Sequence, residues 1–407
     1  MRILQLCKKF PFPLKDGESI AVTGLSRALS GAGAEITLLA MNTSKHYVEF
    51  VGKPRELEHY KEIHTVGVDN RIKPWDAFLN LFSQDSYHVS RFISPAFEQQ
   101  LIYLLQEEEY DVVQLETLYL APYIPIIRKH SKALIVMRSH NVEHEIWERI
   151  VHNTGFPLKK AYLSLLTRKL RRFEVQHLQE YDLLAAISQR DLNCFRALGY
   201  KNAAVVVPIG MDIKEYKPDF KSYRKELSVS FIGSLDWRPN EEGVRWFLDD
   251  VWGPMQKKFG HLQLYIAGRN APDWIRKLKK RNIHFMGEVR SAARFINQHS
   301  IMVVPLLSGS GMRAKILEAM ALGKVVISTT IGLEGIPAKH RREVLVADTP
   351  DEFVEAVRYC QQQNGKLEQM GRRAVDFVTR HFDSAEVGRQ LMETYSALLE
   401  ESVKVRV

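Results

Sequence analysis

The sequence has few cysteines and no long apolar run, and each absence excludes classes of protein. Cys7, Cys194 and Cys360 are the only cysteines among 407 residues, and they lie far apart. This pattern fits neither a disulfide framework nor a zinc site, and it is typical of a reducing compartment. Apolar stretches such as 301–307 are far shorter than the roughly 20 residues that span a bilayer. The N-terminus carries no predicted signal peptide, so we expect a cytoplasmic protein.

The sequence also lacks the features of a nucleic-acid-binding protein, although it is basic. It contains 57 lysines and arginines against 48 acidic residues, which gives a net charge of +9. Such a surplus indicates an anionic partner: nucleic acid, an acidic membrane surface or a phosphorylated small molecule. Zinc-finger spacing, an aromatic RNP-type strand and a Lys/Arg tail are all missing, so nucleic acid is the weakest of the three.

Strands and helices alternate twice along the chain. Continuous apolar runs predict strands at 2–6, 35–40, 111–115, 133–137, 183–186 and 203–207, and again at 229–232, 262–267, 283–286, 302–304, 325–328 and 344–346. Such runs are typical of parallel strands that are covered on both faces. We therefore predict an α/β protein with two Rossmann-like domains facing each other across a cleft. The predicted domains are residues 1–207 and 208–380, followed by a helix (381–407) that returns to the N-terminal domain.

The most informative segment is SGSGMRAKILEAMALGKVVIS, residues 308–328. It predicts a Ser/Gly loop, a helix closed by Gly323 and a buried strand. With Ser310 as N-cap, the main-chain amides of the next three residues, Gly311, Met312 and Arg313, are left without helical partners. These amides, together with the Arg313 and Lys315 side chains, predict a diphosphate site. Helical spacing places Glu318 on the same face, where its carboxylate could accept hydrogen bonds from a ribose. The alternative is an ordinary capped helix with a solvated charged face.

Residues 318–326, EAMALGKVV, followed by IGLEG at 331–335, resemble the retaining glycosyltransferases of family 4, which have the GT-B fold. The resemblance covers essentially the whole chain. It implies an N-terminal acceptor domain, a C-terminal nucleotide-sugar domain and metal-independent sugar transfer with no cofactor. It also implies a UDP- or GDP-sugar donor and a saccharide or lipid-linked acceptor.

The resemblance also assigns roles within the C-terminal half. Glu318 matches the glutamate that binds the nucleotide ribose, whereas Ser310 replaces a glutamate that contacts the donor sugar. In the motif at Gly233, Ser234 stands where the family has an arginine, and Arg238 is the predicted replacement cation for the diphosphate. The alternative reading makes Arg238 a surface turn residue. The main chain at Val289 is a weaker candidate for contact with the base.

On the acceptor side, the resemblance points to Gly17, in a predicted loop after the first strand, and to His140. The resemblance places this histidine near the donor sugar's C6 hydroxyl, and we predict that it is a catalytic residue with a polarising and positioning role; helix capping is the alternative. Glu116, at another strand end, is a secondary candidate. The pattern His140-x-x-Glu-His144 also matches a zinc peptidase motif. We reject that reading because His140 follows a strand instead of lying within a helix.

The segment that begins at Lys159 and ends at Arg172 is a basic amphipathic helix. It predicts either docking on the anionic inner face of the cell membrane or a core helix with a solvated cationic face. We therefore predict a retaining glycosyltransferase of polysaccharide or glycolipid assembly. Two alternatives remain: a nucleotide-sugar epimerase or hydrolase of the same fold, and an inactive nucleotide-binding relative.

Overall fold

A computed structural model describes the chain except for residues 15, 50–51, 279, 310–311 and 407. The chain divides into two compact units. The first unit comprises residues 1–211 and 384–407, and the second comprises residues 212–383. Ser310 and Gly311, both predicted to bind the donor, lie outside the described residues.

The first unit is built on a parallel sheet of seven strands, in the order β3-β2-β1-β4-β5-β6-β7. The strands are β1 (Arg2–Cys7), β2 (Glu35–Thr43), β3 (Glu62–Val68), β4 (Val112–Leu115), β5 (Leu134–Ser139), β6 (Leu183–Ala186) and β7 (Ala203–Val206). The helices of this part are α1 (Gly17–Gly31), α2 (Pro74–Leu79), α3 (Tyr87–Ser90), α4 (Pro95–Glu107), α5 (Ile124–His130), α6 (Glu143–His152), α7 (Pro157–His177) and α8 (Gln189–Ala197). Only β3 was not predicted, because it is a half-exposed edge strand without a continuous apolar run.

The second unit repeats the plan with six parallel strands, in the order β10-β9-β8-β11-β12-β13. These strands are β8 (Ser228–Ile232), β9 (Gln263–Ala267), β10 (Ile283–Gly287), β11 (Ile301–Val304), β12 (Val325–Ser328) and β13 (Leu345–Val346). Its helices are α9 (Arg238–Trp246), α10 (Trp252–Lys258), α11 (Asp273–Arg276), α12 (Ala292–Gln298), α13 (Ala314–Ala321), α14 (Pro350–Gln362) and α15 (Asn364–Phe382). The last helix, α16 (Ser384–Arg406), belongs to the first unit.

Both sheets reverse their strand order at one point, between β1 and β4 in the first unit and between β8 and β11 in the second. Open parallel sheets bind ligands at the carboxyl ends of the strands beside this reversal, because the loops there diverge to opposite faces. The prediction of two Rossmann-like domains is confirmed. The position of each reversal predicts that ligands bind at the loops after β1, β4, β8 and β11.

The C-terminal helix α16 packs against α1 within the first unit. At Gly388 an added Cβ would lie 2.8 Å from the Cβ of Ala28, so glycine permits this close approach. The Tyr395 hydroxyl donates to Oε1 of Gln114 on β4 at 2.7 Å, which ties α16 to the sheet. Within the part of the chain described here, no helix is both long and apolar enough to cross a bilayer.

Candidate functional site

Glycines bring α9 close to the strand reversal of the second sheet. An added Cβ on Gly243 would lie 2.3 Å from the carbonyl oxygen of Pro305, which follows β11. At Gly233, directly after β8, an added Cβ would lie 2.8 Å from Nδ2 of Asn240. Side chains at these two positions would force the elements apart, so the start of α9 lies directly beside the loop after β8.

Asn240 joins two of the predicted site residues. Its Nδ2 donates to the carbonyl oxygen of Ser234 at 2.8 Å, and its Oδ1 accepts from Nζ of Lys315 at 2.6 Å. The Lys315 amine also lies 4.7 Å from the ring centroid of Phe231. Burial, followed by the nearby charge of Arg313, lowers the pKa of Lys315 to about 7. The structure therefore brings the predicted residues Gly233, Ser234 and Lys315 together at one strand end.

The start of α13 differs from the prediction. The helix begins at Ala314 with Arg313 at the N-cap position, so the prediction that Ser310 caps it is wrong. Arg313 is 7% exposed, and its guanidinium lies 5.3 Å from the ring centroid of Trp237. Gly309 has φ 114°, and a Cβ there would lie 2.7 Å from Nη2 of Arg313. Residues 312–313 thus lie outside the helix, with Arg313 buried and Met312 half-buried.

Lys315 and Glu318 lie one turn apart on α13, as predicted. Burial raises the pKa of Glu318, and a hydrogen bond with the Tyr216 hydroxyl opposes the rise. The helix ends at Ala321, and Gly323 follows with φ 71°, as the closing glycine was predicted to do. An added Cβ there would lie 2.6 Å from the Phe220 ring, so glycine is required for space as well as for backbone conformation.

Two other predicted residues of the second unit are not joined to this group by the hydrogen bonds described above. The Arg238 side chain is 76% exposed, and its Nε donates to Oε1 of Glu242 at 2.6 Å. The other oxygen of Glu242 accepts from Oγ of Ser308 at 3.0 Å. Val289 follows the edge strand β10, two strands from β8 and thus roughly 10 Å along the sheet. The roles assigned to Arg238 and Val289 stay predictions.

In the first unit, His140 belongs to a buried polar cluster at the carboxyl ends of β4 and β5. Its Nε2 lies 3.0 Å from Oε2 of Glu116, which also accepts from Nη1 of Arg138 at 3.3 Å. The other oxygen of Glu116 accepts from the side-chain amides of Gln5 and Gln114. Burial alone would raise the pKa of Glu116, but Arg138 and His140 outweigh it and hold it at about 2. This carboxylate fixes the imidazole of His140, which does not cap a helix.

A second histidine–glutamate pair involves His144, four residues further along the chain on α6. Nδ1 of His144 lies 2.5 Å from Oε2 of Glu174, and this carboxylate also accepts the main-chain amides of Glu143 and His144. Glu174 thus caps α6 from α7. Because His140 and His144 pair with different carboxylates, they do not form the ligand pair of a zinc peptidase. Across the described ranges, no group of three or more His, Cys, Asp and Glu residues is arranged to hold a metal ion.

Gly17 is not in a loop, which corrects the prediction. It is the first residue of α1, with Asp16 as N-cap, whose side chain accepts from the amide of Ser19. A Cβ added to Gly17 would meet no atom within 4 Å. Neither backbone conformation nor space requires a glycine here.

Sequence reasoning missed three residues of the second unit. Asn240 connects Ser234 to Lys315, Tyr216 bonds to Glu318, and Nε of Arg269 donates to Oγ of Ser234 at 3.1 Å. Asn240 and Tyr216 carry no sequence signal for their contacts with Lys315 and Glu318, because these partners lie far along the chain. Arg269 does carry a sequence signal, because it is a cation directly after a strand that is followed by a glycine.

Comparisons with known proteins agree with this architecture. The model of the family described as Glycosyl transferases group 1 matches residues 226–363, within the second unit. An uncharacterized 44.6 kDa protein in the cps region of Klebsiella pneumoniae is 21% identical over 402 residues, which cover 95% of this chain and 97% of that protein.

Two solved structures illustrate the likeness in fold. Sucrose-phosphate synthase from Thermosynechococcus elongatus has a TM-score of 0.70 at 14% identity, and the match covers 98% of this chain and 100% of that one. Anabaena HepE in complex with UDP-glucose has a TM-score of 0.63 at 14% identity, with the same two coverages. The fold is therefore the GT-B fold of glycosyltransferases. Together with the family match, these findings support a glycosyltransferase.

Proposed function

We propose that this protein is a retaining glycosyltransferase that moves a hexose from a UDP- or GDP-sugar to an acceptor hydroxyl in polysaccharide assembly. The observation that carries the proposal is the group formed by Ser234, Asn240 and Lys315 at the strand reversal of the second sheet. The family match over residues 226–363 covers the same elements. The cps region named for the Klebsiella relative supports polysaccharide assembly, and UDP-glucose bound to HepE supports the donor class.

The chemistry follows from the charge that develops on the leaving group. When the bond from the anomeric carbon to the diphosphate breaks, negative charge grows on the departing oxygen. The Lys315 ammonium and the positive N-terminal end of α13 can stabilise that charge without reorganising, which is where electrostatic catalysis is most effective. We propose that these groups do so without a metal ion. Retention at the anomeric carbon is supported by the resemblance of residues 318–326 to the family motif.

The direct test is transfer from a panel of UDP- and GDP-sugars, measured with and without candidate acceptors. A retaining transferase releases nucleoside diphosphate only slowly without acceptor. Its product keeps the donor's configuration at the anomeric carbon, axial or equatorial, and NMR of the product reports this configuration. Donor consumption that does not depend on any acceptor would instead identify a hydrolase or epimerase. Nucleotide binding without turnover under all of these conditions would identify an inactive relative.

We also propose that the first unit docks on an anionic bilayer, where a lipid-linked acceptor would reside. Large apolar side chains are exposed on two neighbouring segments: Trp75 (69%), Phe82 (80%), Phe156 (63%) and Leu158 (75%). The segment 72–82 is attached to α7, since Nζ of Lys169 donates to the carbonyl oxygen of Asn80.

Exposed cations of α7 accompany these apolar groups: Lys159, Lys160, Arg168, Arg171 and Arg172. The attached segment 72–82 contains one acidic residue, Asp76, so cations prevail. Apolar side chains beside cations match the acyl and phosphate layers of an anionic membrane surface.

The docking proposal is tested by cosedimentation with vesicles of phosphatidylcholine alone or mixed with phosphatidylglycerol. We expect binding to the anionic vesicles only, weakened by salt and by the double substitution Phe156→Ser/Leu158→Ser. Tyr103→Ser, at a residue that is 52% exposed on α4, is the matched control and should bind like the wild type. Equal binding by the wild type and the double variant would refute the proposal.

A further inference from the structure

We propose that Arg269 is a second cation for the donor's diphosphate, in the role that the sequence predicted for Arg238. This inference rests on the proposed function, because it concerns the same site. Arg269 is exposed and follows β9, the strand that pairs with β8. Its Nε donates to Oγ of Ser234 at 3.1 Å, so the guanidinium lies against the position where the sequence lacks the expected arginine.

The main chain at Arg269 is held firmly in place. A Cβ on Gly268 would lie 2.0 Å from the carbonyl oxygen of Gly233, so the loops after β8 and β9 touch through their backbones. The amide of Leu235 donates to the carbonyl oxygen of Arg269 at 3.0 Å. Asn270 adopts φ 54°, and its Nδ2 donates to Oδ2 of Asp236 at 3.0 Å. A fixed main chain together with the hydrogen bond at Nε reduces the entropy that Arg269 loses when it binds an anion.

Arg269 and Lys315 flank the same turn from two sides. Arg269 bonds to the Ser234 hydroxyl, and Lys315 bonds through Asn240 to the Ser234 carbonyl oxygen. Both cations therefore contact the turn at Ser234, one directly and one through Asn240, and an arginine can bind phosphate oxygens in a bidentate manner. Arg238 has a different neighbour, since its Nε donates to the carboxylate of Glu242 and not to Ser234.

One carboxylate belongs to the same cluster. Oγ of Ser234 donates to Oδ1 of Asp236 at 2.5 Å, which leaves the hydroxyl's lone pair for Nε of Arg269. Asp236 therefore orients Ser234, and its charge offsets part of the charge of Arg269. It follows that Asp236→Asn, which keeps an acceptor oxygen, should strengthen rather than weaken the binding of a diphosphate.

The experiment compares binding of UDP with UMP, or of GDP with GMP, by isothermal titration calorimetry on the full chain. For Arg269→Ala we expect diphosphate affinity to fall about 10- to 100-fold, the worth of a charge-assisted hydrogen bond, while monophosphate affinity changes much less. Arg269→Lys should recover part of the loss. Arg281→Ala is the control. It removes an exposed charge just before the amino-terminal end of β10, away from the carboxyl ends of the strands, and should leave both affinities unchanged.

The outcomes separate this inference from the proposed function. If the wild type binds neither UDP nor GDP, the proposed function itself fails. If the wild type prefers the diphosphate and Arg269→Ala keeps that preference, the function stands and the assignment of Arg269 is overturned. Loss of the preference in Arg238→Ala instead of Arg269→Ala would likewise overturn it. A stronger diphosphate affinity in Asp236→Asn supports the assignment without any loss-of-function variant.

Discussion

Lys315 is the titratable group that should set the pH dependence of donor binding. Its pKa is lowered to about 7 in the free protein, and a bound diphosphate favours the ammonium form. Affinity should therefore fall as the pH rises above about 7, by at most about tenfold per pH unit. Calorimetry in buffers of different ionisation enthalpy should detect proton uptake on binding. Lys315→Met should bind weakly at every pH, and an affinity of the wild type that does not vary with pH would contradict the assignment.

Glu143 should oppose folding at neutral pH. Burial, followed by the charge of Glu174, outweighs Lys8 and Tyr119 and raises the pKa of Glu143. The folded protein therefore holds this proton at pH values where the unfolded chain has lost it, so stability falls as pH rises above the ordinary carboxyl pKa. Glu143→Gln keeps an acceptor for the Tyr119 hydroxyl, which lies 3.0 Å from Oε2. The variant should unfold at a higher temperature than the wild type at neutral pH. This difference in unfolding temperature should vanish in acid, where both states of the wild type hold the proton.

Glu145, on the same helix α6, provides a control because its pKa shifts in the opposite direction. Burial would raise the pKa of Glu145, but Cys194 and Arg190 outweigh it, and the pKa is lowered. This carboxylate contributes stability above its unfolded pKa, and that contribution is lost as pH falls through the folded pKa. Glu145→Gln should therefore destabilise the protein at neutral pH. Thermal scans in which both variants shift in the same direction would disprove the electrostatic account.

At the scale of elements, the contact between α16 and α1 depends on a glycine. Replacing a glycine inside a helix with alanine normally stabilises it by about 1 kcal/mol. At Gly388 the new methyl group would lie within 3 Å of Ala28, so Gly388→Ala should instead destabilise the first unit by roughly 1–3 kcal/mol. Gly253→Ala on α10, where an added Cβ meets nothing within 4 Å, is the matched control. Denaturant unfolding that shows Gly388→Ala to be as stable as the wild type would argue against this tight packing.

For the whole molecule, the two proposed ligands should act on different units. UDP or GDP should slow amide hydrogen exchange in peptides that cover 233–243 and 312–318 of the second unit, because these segments surround Lys315. Anionic vesicles should slow exchange at 72–82 and 156–172 of the first unit, where the exposed apolar and cationic side chains lie. Protection of the same peptides by both ligands, or by neither, would contradict the assignment of two separate surfaces.

Local sequence was enough to predict most strands and the end of α13. Buried parallel strands are apolar on both faces, so β4 and β12 read as continuous apolar runs. Gly323 could be predicted because a helix end needs a residue with positive φ. Lys315 and Glu318 could be paired because helical spacing depends only on the chain between them. Each of these inferences uses interactions within a few residues.

Contacts between distant parts of the chain settled the rest. Strand order, the edge strand β3 and the start of α13 depend on packing partners that no short segment contains. Arg313 packs against Trp237, 76 positions away (313 − 237), and Arg269 reaches Ser234 across 35 positions in the sequence. Such residues become neighbours only when parallel strands align their carboxyl ends, because the sheet, rather than the order of the chain, fixes which loops meet.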